Sequence, residues 1–408
     1  MSTFTGHSAI PLKRIIFFPV LWLVIDGCID RINFSTPPVP LTEIVIEGSI
    51  TNAPGPYTVK LSNVIKSDAT LPLGVPVNAN RVFLADDAGT TEELTLVSAG
   101  VYQSNPSGIR GTIGRSYHVR VEMNNGNIFE SIPDKMTPVG RIDSLYYEWE
   151  ELIRSDKAEY GYRIYVDSHT VPGEEYLRWK FVGTYVVETL PQYNLCPGSC
   201  RPDGGGETPG NYCPLPCSGY MWVDGELKMG YVLNPRTQEP EYVPGLACTC
   251  CRCWVTPRED KPKVNDGALS AEGKFNNVEV GYVPINYYTF FERYRVEVYQ
   301  MSLSRNSYEY WRAIQKQKEG IGSLFQPVGG RIPTNIFEIN GATPVQGIFY
   351  AAAIHKREVY LDKNTHKTFI EAPEDCVNPP RKGAAGVSCL LGFPGSESTT
   401  VRPVDWKD

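Results

Sequence analysis

Tyr117-His118-Val119-Arg120-Val121-Glu122-Met123, then Asn125-Gly126, then Ile128-Phe129-Glu130 is the stretch that decides the fold class. Apolar and polar residues alternate on both sides of Asn-Gly, the period of a strand with one buried face. Asn-Gly between two such runs signals a hairpin, because both residue types tolerate positive φ. The alternation continues outward from this hairpin. Strand-like segments stand at 43–48, 57–61, 81–85 and 93–97, with Asn52-Ala53-Pro54-Gly55-Pro56 as a turn between the first two.

Six or seven short strands over 41–138 predict an immunoglobulin-like β-sandwich in pattern, without a Cys–Trp–Cys signature. A larger β-rich region is expected over 139–372, with strands near 143–149, 162–167, 176–187, 278–280, 294–299, 347–352 and 359–361. A cysteine-rich insertion at about 191–260 interrupts it, and 373–408 reads as a loop-like tail. One helix is predicted from about Ser307 to Glu319. Asn306 with Glu309 resembles a capping box, and Gly320 is a natural stop. Tyr308, Trp311 and Ile314 then share a face that should dock on the sheet. The fold class is therefore mainly β, a sandwich followed by a β-rich domain with one packed helix. The 24 tyrosines, 33 prolines and 37 glycines agree, since they favour short strands and turns over long helices.

The N-terminus gives an address. Lys13-Arg14 precede an apolar run over 15–25, which ends at Asp26-Gly27-Cys28. A basic start, a short apolar core and a small residue at the cut describe a secretory signal peptide over 1–27. Cys28 directly after Gly27 resembles a bacterial lipobox, in which the thiol is acylated and anchors the mature chain in lipid. Asp26 departs from the small or apolar residue usual two places before that cysteine. Residues 28–40, with Thr36-Pro37-Pro38-Val39-Pro40, make a stiff tether. No later segment is apolar enough to span a membrane. The net charge of −7 argues against nucleic acid, which calls for a basic face.

Ten cysteines remain after Cys28: Cys196, Cys200, Cys213, Cys217, Cys248, Cys250, Cys251, Cys253, Cys376 and Cys389. In an exported chain they read first as disulfides, in preference to zinc, whose paired-ligand spacing they fit only loosely. The expectation is four bonds inside the insertion, with Cys376 and Cys389 closing a separate loop. A reach from either of these into the insertion is the alternative. Tyr212, Tyr220, Trp222 and Trp254 offer a binding surface on the stapled segment, or else its own small core; both readings stand.

Catalytic signals are weak. His118, His169, His355 and His366 have no partner spacing, and no nucleophile elbow, zinc-protease pair or phosphate loop occurs. Gly320-Ile321-Gly322 reads as a helix stop and turn. The chain is expected not to be an enzyme and to hold no metal or cofactor. A hydrolase whose carboxylates converge only in the fold is a weaker alternative.

Tyr308-Glu309-Tyr310-Trp311-Arg312-Ala313-Ile314-Gln315-Lys316-Gln317, with Gly322-Ser323-Leu324-Phe325-Gln326-Pro327, Arg331-Ile332-Pro333-Thr334-Asn335-Ile336 and Gly347-Ile348-Phe349-Tyr350-Ala351, resembles an uncharacterised family of Bacteroidota outer-membrane lipoproteins, domain of unknown function 4249. The N-terminal segments 44–51 and 55–61 fit it too. A Val328-Gly329-Gly330 turn stands where another proline is expected. The resemblance implies a lipid-anchored outer-membrane protein that captures a ligand or does accessory work beside a TonB-dependent uptake receptor; the ligand stays open, with peptide and glycan as the options. Whether it faces the periplasm or the cell surface stays open. It brings no catalytic residues. A structural or adhesive surface lipoprotein without transport coupling is the alternative.

Overall fold

A computed structural model of the chain describes residues 43–63, 74–154, 157–174, 176–194, 212–259, 261–265, 273–286, 288–320, 332–362, 386–393 and 395–407. The chain is mainly β, with one α-helix among the described residues. The signal peptide, Cys28 and the tether lie outside them, as do Cys196, Cys200, Cys376, His366 and all of 321–331.

The deciding hairpin is present. Strands Ser116–Glu122 and Ile128–Ser131 pair through Arg120↔Glu130, Val121↔Phe129 and Glu122↔Ile128. Its turn differs from the expectation that both Asn125 and Gly126 take positive φ. Only Gly126 does, at 89°. Gly126 donates its N–H to the Met123 carbonyl (3.1 Å) and Met123 donates to Asn127 (2.9 Å). This is the three-residue hairpin loop with its final residue left-handed, in which only the glycine must be glycine.

Two sheets build the first sandwich. One contains Ile44–Thr51, Thr58–Asn63, Val101–Gln103 and Thr95–Ser98, and the other contains Arg81–Asp86, Thr91–Glu93 and the hairpin. The stretch 93–97, read as one strand, breaks at Leu94. Thr91–Glu93 pairs with Arg81–Asp86, whereas Thr95–Ser98 pairs with Val101–Gln103 in the opposite sheet. Leu94 turns inward at the switch and donates its N–H to Val82 (2.8 Å). Ile46, Ile50, Val82, Leu84, Val119 and Val121 are fully buried between the sheets, each such aliphatic contributing about 1.5–3 kcal/mol.

Residues 41–138 do not complete this sandwich alone. Val345–Ala352 lies parallel to Ile44–Thr51 from Ile44↔Val345 to Thr51↔Ala352, and Ile336–Glu338 pairs with Ile128–Ser131. From Gly347 to Ala352 this strand is buried on both faces, which is why that part reads as an apolar run. Only Ala353 separates it from Ile354–Asp362, a strand of the second sandwich.

The second sandwich packs a sheet of Ile142–Arg154, Lys157–His169 and Lys274–Pro284 against one ordered Ile354–Asp362, Arg293–Ser302, Leu177–Glu188, Arg252–Pro257 and Ser396–Thr399. Trp179, Ile164, Val166, Val255, Val296 and Val298 fill the space between. The tail, read as loop-like over 373–408, thus carries an edge strand, Ser396–Thr399.

Helix Arg305–Gly320 begins two residues before the expected start. Its cap is Ser304, whose Oγ accepts the Ser307 N–H (3.3 Å), rather than Asn306. Glu309 instead pairs with Arg305 (3.0 Å) one turn away. Tyr308 and Tyr310, with Trp311 and Ile314 beside them, pack on Met301, Ile348, Tyr350 and Ala352, so the helix joins strands from both sandwiches. Buried Asp134 fixes its N-terminus. One carboxylate oxygen accepts from Ser307 Oγ (3.1 Å) and from the Ala351 N–H (2.9 Å).

Candidate functional site

Pro257, Arg258, Glu259, Lys261, Pro262 and Lys263, at the insertion's C-terminal boundary, form one wall of a cleft of ≈ 690 Å³. That volume falls in the range of about 300–1,000 Å³ typical of ligand sites. The opposite wall is the end of strand Lys274–Pro284 with Glu150 and Arg163 of its sheet, and the floor carries Phe181.

The sheets approach closely here because Gly281 faces Phe181. A Cβ at this position would lie 2.5 Å from the ring. Deeper in, Tyr185 and Tyr294 stack at 5.5 Å. Burial pushes the Tyr185 hydroxyl up to about 12 and raises that of Tyr294 further. Both are therefore neutral hydrogen-bonding groups at any physiological pH, not acids or bases.

The charges on the walls divide into committed and uncommitted groups. Arg163 is held between Glu150 (2.6 Å) and Glu279 (2.7 Å), and hydrogen bonds from these two carboxylates raise its pKa. Glu259 turns away from the opening onto Arg178. The Arg178 guanidinium is almost fully buried, stacks 3.7 Å from the Trp311 ring centre and donates to Tyr350 Oη (3.2 Å). Glu319 accepts from Gln315 Nε2 (2.7 Å). Every described carboxylate of the lining thus has a partner. Arg258, Lys261 and Lys263 stand on one wall and, among the described residues, form no ion pair.

The described lining contains no His, Cys or Ser, and the Thr289 hydroxyl is spent donating to the Pro284 carbonyl (2.7 Å). No pair of carboxylates is left free for acid–base work on a glycosidic bond. None of the described histidines lines the cleft, and two of them, His169 and His355, lie near one another around Asp143. His169 contacts Asp143 (2.9 Å), His355 Nδ1 accepts from the Ile142 N–H (3.2 Å), and His118 lies 3.8 Å from Glu130.

Three carboxylates do converge elsewhere, Glu297, Glu358 and Asp405, with ligand atoms within 4.8 Å of one another. Three protein cations fill the space a metal would need. Arg295 bonds Glu297 (3.0 Å) and Asp405 (2.8 Å), Lys356 bonds Glu297, and Lys407 bonds Glu358. The group is a neutral network that straps residues 402–407 over the outer face of the second sandwich. Trp406 closes the strap against Trp254 and Tyr360.

The sequence-marked aromatics divide between two places. Trp222 donates its indole N–H to the Tyr212 carbonyl (2.8 Å), and Tyr220 lies on the same strand, Tyr220–Val223, paired with Met229. Trp254 is elsewhere, buried with Val186 and Trp406 beneath the strap, where it has no face to offer a ligand. Cys217–Cys250 and Cys248–Cys251 are bonded within the insertion, and Cys213 is also in a disulfide. Cys389 does not close a loop with Cys376. It bonds Cys253 and ties the tail to the insertion's last strand, Arg252–Pro257. Sequence reading missed the cleft, whose one local signal is Pro257-Arg258-Glu259-Asp260-Lys261-Pro262-Lys263, a charge run framed by prolines.

No helix among the described residues is long and apolar enough to cross a membrane. No curated protein matches the chain. A family model described as "Domain of unknown function (DUF4249)" matches residues 29–358, so the chain belongs to that family.

Proposed function

We propose that the protein is a lipid-anchored outer-membrane lipoprotein of a Bacteroidota cell that captures a ligand in the cleft between Pro257–Lys263 and strand Lys274–Pro284, as an accessory to a TonB-dependent receptor. The carrying observation is the cleft itself: of ligand-binding size, with an aromatic floor and with its described carboxylates held by partners. The Lys13-Arg14, apolar run and Gly27-Cys28 pattern supports the anchor. Disulfides Cys217–Cys250, Cys248–Cys251 and Cys253–Cys389 fit a compartment beyond the inner membrane.

Mass spectrometry of the mature N-terminus tests the anchor, with a diacylated or triacylated Cys28 expected. An unmodified Met1 start would overturn it. Detergent extraction of outer membranes with a C-terminally tagged chain tests the receptor link, and copurification of a large β-barrel is expected. Recovery of the lipidated chain alone after chemical crosslinking on intact cells would favour a structural or adhesive lipoprotein instead.

A further inference from the structure

We infer that the cleft takes an anionic ligand, one carrying carboxylate or phosphate groups, held by Arg258, Lys261 and Lys263. The inference rests on the cleft being the ligand site and adds the chemistry of what enters it. Four carboxylates line the cleft, and each already has a protein partner: Glu150 and Glu279 on Arg163, Glu259 on Arg178, Glu319 on Gln315. Arg258, Lys261 and Lys263 have none among the described residues. With the described acids of the lining each held by a partner, Arg258, Lys261 and Lys263 are the charges on one wall that no described group has taken up, and together they are locally complementary to a negative group.

That wall is also fixed before any ligand arrives. At one end Pro257 pairs with Ser396, and the Arg258 N–H bonds the Gly395 carbonyl (3.1 Å). At the other, Lys263 and Val264 pair with Trp179 and Arg178, and the Val264 N–H bonds Gln315 Oε1 (2.9 Å). Pro262 is buried between the two lysines, and Glu259 is anchored from behind by Arg178. Surface lysines on a mobile loop lose most of their attraction to side-chain and backbone ordering, whereas cations on a pinned wall lose less. Phe181 on the floor supplies an apolar surface for the body that carries the anion.

The two sources of such an anion are an acidic glycan and a phosphorylated sugar. Isothermal titration of the purified soluble chain (residues 29–408) separates them, with oligogalacturonate, its fully methyl-esterified form and glucose 6-phosphate as probes. At low salt, at least one charged probe should bind at least tenfold more tightly than the neutral ester. The affinity should fall at least tenfold between about 50 and 500 mM salt. The R258Q/K261Q/K263Q variant should lose that binding at least tenfold while melting at the wild-type temperature. R81Q/K135Q/R236Q, which removes three exposed cations outside the cleft, is the charge-matched control and should leave binding unchanged. Equal binding of ester and acid, or undiminished binding by the triple variant, overturns the inference. So does failure of both charged probes to bind. None of these results bears on whether a receptor copurifies with the lipidated chain, so the proposed function fails or survives separately.

Discussion

The disulfides should contribute to stability in the order of the chain length they close. Cys253–Cys389 spans 136 residues, Cys217–Cys250 spans 33 and Cys248–Cys251 spans 3. Loop-closure entropy in the unfolded chain gives about 5, about 3.7 and about 1.6 kcal/mol for these bonds in turn. Paired Cys→Ala variants isolate each bond, and urea unfolding with linear extrapolation reads the differences. Packing widens the gap, because Cys253 and Cys389 are fully buried and Cys250 nearly so, so their truncation also leaves small voids. Hydrogen exchange adds a local readout. Cys389 donates its N–H to the Cys250 carbonyl (2.9 Å), and its bond to Cys253 holds the tail against Arg252–Pro257. C253A/C389A should therefore lose protection along Ser396–Thr399, whereas C248A/C251A should keep it. If C248A/C251A cost as much as C253A/C389A, chain closure would not be the source of the stabilisation and the reasoning would fail.

The strap over residues 402–407 should release in acid. The hydrogen bond from Arg295 lowers the Asp405 pKa and that from Lys407 lowers the Glu358 pKa. Depressed carboxylates contribute stability above their unfolded values, about 3.9 and 4.3, and lose it as pH falls through the folded ones. Exchange at 402–407, corrected for intrinsic rate, should accelerate below about pH 4 while Arg293–Ser302 stays protected; unchanged protection down to about pH 2 would contradict this. Gly281→Ala should cost about 1–3 kcal/mol through collision with Phe181, and Phe181→Leu should recover much of it in the double variant. A neutral Gly281→Ala in thermal unfolding would deny the close approach. Asp134→Ala should cost about 1–3 kcal/mol by leaving Ser307 and the Ala351 N–H without an acceptor. Burial raises the Asp134 pKa, so its contribution is greatest below about 3.9 and declines as pH rises through the folded value. Asp134→Asn keeps a neutral acceptor, so its stability relative to the parent should improve from about pH 4 to pH 7. The reverse trend would show the carboxylate to be favoured as an anion there.

Legibility followed the range of the interaction. The hairpin at 116–131 and the helix after Ser304 were readable because alternation, turn chemistry and helical spacing are local. The helix start was misplaced because Asn306 and Glu309 imitate a capping box, whereas Ser304 was chosen by packing against Asp134. Leu94 shows a different limit: an apolar residue inside an alternating run does not announce that its neighbours belong to opposite sheets. The strand Val345–Ala352 was visible as a strand, but its partner was not. Nothing local tells an apolar run that its neighbour is Ile44–Thr51 rather than a nearby strand.

The cleft was illegible for the same reason, since its walls come from Glu150, Phe181, Pro257–Lys263, Gly281 and Glu319. Yet one residue links it to the part of the sequence that was easiest to read. Arg178 is a buried cation that needs all its neighbours: Glu259 for charge, the Trp311 ring for its face and Tyr350 Oη for one donor. Removing Glu259 leaves a desolvated charge unbalanced, and removing the Trp311 ring or Tyr350 Oη strips that buried cation of a stabilising contact. Trp311 belongs to the helix, Tyr350 to strand Val345–Ala352 of the first sandwich, and Glu259 to the cationic wall. The aromatic Tyr308-Glu309-Tyr310-Trp311 segment therefore holds more than a helix in place. Through Arg178 it holds Glu259, which stands directly after Arg258 on the wall that carries the three cations.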